Sequence, residues 1–101
     1  MISIQVIPGY GVDAYRILRE KVTHEATTWY WGNKSKSRLK HVQVKKGYIE
    51  VANAEGVLTA KIYPKKPKDE FYLSEKFIGR LIAWFEDQLV AVNIQFITEK
   101  K

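Results

Sequence analysis

"RLKHVQVKKGYIEVANAEGVLTAKIY", residues 38–63, decides the fold. Ile49 and Val51 alternate with Tyr48 and Glu50. Leu58, Ala60 and Ile62 likewise oppose Val57, Thr59, Lys61 and Tyr63. Alternation with period two marks strands that bury one face. In 38–44, Leu39 lies near the start and Val42 and Val44 share a face. Lys45-Lys46-Gly47 reads as a short hairpin turn with Gly47 at positive φ, and Asn53–Gly56 as a second turn. Upstream, "TTWYW" (27–31) is aromatic and β-branched, with Trp29 and Trp31 on one face and Tyr30 on the other. An antiparallel meander of four strands is therefore expected across 26–63.

The flanks extend this reading in both directions. "ISIQVI" (2–7) places Ile2, Ile4 and Val6 on one strand face, and Pro8, Gly9 and Gly11 end it. Residues 12–22 carry Ala14, Tyr15, Ile17, Leu18 and Val22 at helical spacing, with Asp13 at the dipole-favoured start. "YPKKPKDE" (63–70) resembles a joint. Beyond it Ser74 reads as the N-cap of a second helix with the stripe Phe77, Ile78, Leu81, Ile82, Phe85 and Leu89, Trp84 at its edge. "VAVNIQFI" (90–97) alternates again as a closing strand.

The order β-α-β-β-β-β-α-β predicts an α+β fold: a two-layer sandwich of a mostly antiparallel sheet with two helices packed on one face. One compact domain, 1–101, is expected from the length. Its core should hold Ile2, Ile4, Val6, Leu18, Val42, Val44, Ile49, Val51, Leu58, Ile62, Leu81, Phe85, Val92 and Ile94.

Composition narrows the function. Apolar residues make up 46% of the chain, enough to offset the entropy of ordering it. The absence of cysteine excludes disulfides, thiolate catalysis and cysteine-ligated metal centres. "MISIQVIPGYG" lacks a basic head and a long apolar run, and no segment is apolar enough for a membrane span, so a cytoplasmic protein is expected. The net charge of +6 is unevenly spread: residues 26–68 hold ten Lys/Arg against Glu50 and Glu55, and no acid lies between Glu25 and Glu50. Segregated positive charge favours an acidic partner.

Nothing in the sequence asks for catalysis. His24 falls at the end of the first helix, where a histidine suits the dipole. His41 alternates with Val42 and is expected on the sheet face away from the helices. Neither belongs to a metal-ligand spacing, and no Gly-rich phosphate loop is present. Ser35, Ser37 and Ser74 lack a nucleophile-elbow context. Glu86 and Asp87 diverge by about 100° on a helix and form no dyad. A non-enzyme with no cofactor or metal is expected.

The expected function is a non-catalytic nucleic-acid-binding module. Lys34, Lys36, Arg38 and Lys40 form a basic loop for phosphates, and Tyr30, His41, Tyr48, Lys61 and Tyr63 an aromatic, basic sheet face on which unpaired bases stack. The partner is RNA or DNA, single strands favoured, with no membrane. Alternatives are a homo-oligomeric or protein-interaction module using the tyrosine-bearing face, and more distantly a small-ligand-binding or hydrolase domain. Lys45, Lys46, Lys65, Lys66 and Lys68 add to the field only if the fold brings them together. In element order alone, the α-β-β-β-α middle resembles double-stranded-RNA-binding domains. The basic cluster those domains carry at the second helix start would fall near 74–78, where this chain has "SEKFI". No family is assigned.

Overall fold

The computed structural model describes residues 1–98; the last three residues of the expected domain, 99–101, lie outside the described residues. Six strands, β1 (Ile2–Pro8), β2 (Trp29–Trp31), β3 (Arg38–His41), β4 (Val44–Ala54), β5 (Val57–Tyr63) and β6 (Leu89–Phe96), form one sheet. Two helices, α1 (Ala14–His24) and α2 (Pro67–Phe85), complete the expected order. The strand order is β2-β3-β4-β5-β1-β6, with every neighbouring pair antiparallel. β1 and β6 therefore extend the meander beyond β5, and α1 carries the chain from β1 to the far edge.

One hydrophobic cluster lies between sheet and helices. Ile4, Val6, Trp29, Leu39, Ile49, Val51, Leu58 and Ile62 meet Leu18 and Val22 of α1 and Leu73, Phe77, Leu81 and Phe85 of α2. Asp13 caps α1, its carboxylate accepting from the Arg16 backbone N–H at 3.1 Å. At the β4–β5 hairpin, Glu55 and Gly56 have φ of 53° and 85°, the two positive values that a type I′ turn needs.

Four local expectations are corrected. First, the β3–β4 turn is at Val42–Gln43, not at Lys45–Gly47. The Gln43 N–H donates to His41 Nδ1 at 3.1 Å and the Val42 N–H to the Thr28 carbonyl at 2.9 Å, so polar partners hold the turn where no glycine stands. Val42 is consequently exposed rather than in the core. Second, Gly47 is buried within β4 and has no positive φ. A Cβ there would meet Val44 Cγ1 at 3.1 Å, and Leu73 Cδ1 and the Tyr63 carbonyl at 3.3 Å. The missing side chain lets Leu73 of α2 pack close against β4. Third, α2 begins at Pro67, not at Ser74. Pro67 fits the first helical turn, where its missing N–H has no partner to lose. Asp69 and Glu70 follow, and Glu70 Oε2 accepts from the Ile2 N–H at 3.1 Å. Ser74 is a buried interior residue whose hydroxyl donates to the Glu70 carbonyl at 2.7 Å. Ile94 also departs from expectation: it is 44% exposed, because β6 reaches past the helices.

Candidate functional site

The face of the sheet turned away from the helices is organised in rows by strand register. Tyr30 opposes Lys40, and Tyr48 opposes Tyr63. In the next row Arg38 opposes Glu50, Glu50 opposes Lys61, and Lys61 opposes Ser3. The expected aromatic and basic residues Tyr30, Lys40, Tyr48, Lys61 and Tyr63 therefore do share this face.

Several of these groups already have partners. The rings of Tyr48 and Tyr63 stack at 5.3 Å with an interplanar angle of 25°. The Arg38 guanidinium lies over Tyr48, 4.8 Å from its centroid, and its Nε is 3.5 Å from Glu50 Oε2. Lys40 Nζ donates to the Lys45 carbonyl at 3.1 Å. Arg38 and Lys40 thus brace the sheet.

His41 is not on this face. It is buried on the helix side, edge-on to Trp29 and to Tyr72 with centroids 4.7 and 5.3 Å away. His41 follows Leu39 by two residues and so shares its buried, helix-side face; the strand ends there, and Val42 stands in the turn. Burial holds the imidazole below its ordinary pKa, and the positive charges of Lys76 and Arg80 add to the effect. With Nδ1 accepting from Gln43, the ring is the neutral tautomer protonated on Nε2. No base can stack on it.

The loop 32–37 is built on Asn33. Its Oδ1 accepts from the backbone N–H of Ser37 and of Arg38, both at 3.1 Å, and its Nδ2 donates to the Ser35 and Ser37 hydroxyls. The Tyr15 hydroxyl donates to the Lys36 carbonyl at 2.9 Å, drawing the loop toward α1. The backbone of Ser37 bonds to Val51. Lys34 and Lys36 therefore sit at the β4 C-terminal end of the sheet.

A second set of lysines gathers at the opposite end, roughly 20 Å away along the strands. The irregularity in β4 turns Lys45 and Lys46 outward between buried Val44 and Gly47. The β5–α2 connection and the first turn of α2 bring Lys65, Lys66 and Lys68 beside them. Together with Gln43, Val44 and Asp69, these five lysines line a groove of about 450 Å³. They come from two separate stretches of chain and face one acid. No protein-family model, curated protein or solved structure matches this chain.

The sequence alone did not select this groove. Its signals, "KK" at 45–46 and "KKPK" at 65–68, are plain in the chain. What joins them is the early start of α2 and the position of the β3–β4 turn. The earlier start also places Lys65, Lys66 and Lys68 at the beginning of the second helix, where "SEKFI" had been expected.

Proposed function

We propose that the protein is a non-catalytic nucleic-acid-binding module whose phosphate-gripping surface is the lysine-lined groove between the β4 irregularity and the start of α2. The observation that carries this reading is the convergence of Lys45, Lys46, Lys65, Lys66 and Lys68 on one groove. With five lysines and one acid, Asp69, lining it, the groove carries a positive local field that favours a polyanion. A run of phosphates matches both the sign and the spread of the charge.

The Tyr48–Tyr63 stack lies at the same end of the sheet: Tyr63 precedes Pro64 and Lys65, and Tyr48 follows Gly47. It supports stacking of a base beside the groove. Tyr48 already carries Arg38 against its ring, so stacking is the smaller contribution and phosphate attraction the larger. Lys34 and Lys36 belong to a separate patch and have no part in this grip.

The test is a titration with duplex and single-stranded DNA and RNA at several salt concentrations. Five phosphate contacts predict a slope of log K against log salt of about −4 to −5 on duplex DNA. A slope near zero, or no binding at low salt, overturns the reading.

A further inference from the structure

We infer that β6 is a self-pairing edge: two copies of the chain join β6 to β6 antiparallel, centred on Asn93, into one continuous sheet with the helices of both copies on the same side. This goes beyond nucleic-acid binding and uses a different surface.

The edge has little of the usual protection. An exposed strand edge invites pairing, and proteins blunt it with charge, proline, shortness or a bulge. β6 has a register irregularity against β1 between Leu89 and Ala91, and pairs regularly from Ala91 to Phe96. β6 runs eight residues, Leu89–Phe96, without a charged side chain or a proline, on a chain of net charge +6. The opposite edge, β2, is three residues long.

The apolar side chains of β6 stand in water. Val90 is 73% exposed, Ile94 44% and Phe96 77%. Ile94 and Phe96 oppose Ile4 and Ile2, so they lie on the helix side but beyond the helices.

Self-complementarity selects a second copy as the occupant. Pairing about Asn93 sets Ile94 against Val92 of the other copy and carries Phe96 to the irregular start of the other copy's β6, leaving the two Asn93 amides on the axis to donate and accept reciprocally. A two-fold contact of this kind closes on itself and does not propagate into fibres.

Sedimentation of the full chain across a range of concentrations tests the proposal, together with two variants at exposed positions. The wild type is expected to pass from 11.8 kDa to twice that mass. Phe96→Lys should weaken self-association by about tenfold or more while leaving the circular dichroism spectrum unchanged. The chain has no cysteine, so Asn93→Cys should form a cross-linked dimer on mild oxidation, and Ala52→Cys, on the distant β4, should not. A monomer at every concentration overturns the proposal, as does a dimer indifferent to Phe96→Lys. A dimer weakened by Phe96→Lys but not cross-linked through residue 93 overturns the Asn93-centred pairing.

Discussion

His41 stands edge-on to Trp29, ring centroids 4.7 Å apart and planes at 85°. The contact lies within the core, between β2, β3 and α2. A charged imidazole there would be desolvated, would face Lys76 and Arg80, and would lose the Gln43 N–H at Nδ1.

Stability should therefore depend on pH through this residue. The folded pKa is depressed below the ordinary 6.5, so the unfolded chain binds the proton more tightly. The contribution is full above about pH 6.5 and is lost as pH falls from there through the folded value. The melting temperature should drop across this window, before the carboxylates titrate. His41→Asn, whose amide oxygen can take the Gln43 N–H, should flatten the drop. An equal slope in both proteins would contradict the assignment.

At Gly47 the Leu73 side chain of α2 packs close against β4. Gly47→Val should destabilise by about 1–3 kcal/mol, because the Tyr63 carbonyl and Leu73 leave no room for a branched side chain. Denaturant unfolding measures this. The displaced α2 start should also weaken nucleic-acid binding.

Glu55 adopts a φ of 53°, a conformation costly for most residues and tolerated by asparagine. Glu55→Asn should raise stability by on the order of 0.5–1 kcal/mol, read as a higher denaturant midpoint with an unchanged slope. A fall in midpoint would contradict the turn assignment.

Arg38, expected from the sequence at a phosphate, has partners within the sheet. Its guanidinium is held by Tyr48 and Glu50. Arg38 is half-exposed, but Glu50 Oε2 is buried with no hydrogen-bond partner, so Arg38→Ala should cost on the order of 1–3 kcal/mol of stability by leaving that oxygen unpaired. Its effect on oligonucleotide affinity should stay within about twofold, as measured by anisotropy.

The fold was legible in the sequence because burial alternates cleanly in β5 and across 47–51 of β4. Legibility fails where a single side chain substitutes for a turn signal. His41 supplies the acceptor that a glycine turn would otherwise not need, and this shifts the turn by three residues and reverses which neighbour is buried. It fails again at Pro67, which reads as a joint but starts a helix. Both failures fall on the groove, so its five lysines were visible as charge and invisible as a site. Strand order lies beyond local pattern altogether: nothing in 2–7 indicates that it pairs with both 57–63 and 89–96.

The most direct measurement compares two double charge reversals in oligonucleotide anisotropy at low salt. Lys46→Glu with Lys65→Glu alters the groove, and Lys34→Glu with Lys36→Glu alters the loop at the other end. The groove pair should lower affinity by on the order of tenfold or more, and the loop pair by less than about threefold. Loss of binding on reversing the loop, with the groove variant unchanged, would contradict the account.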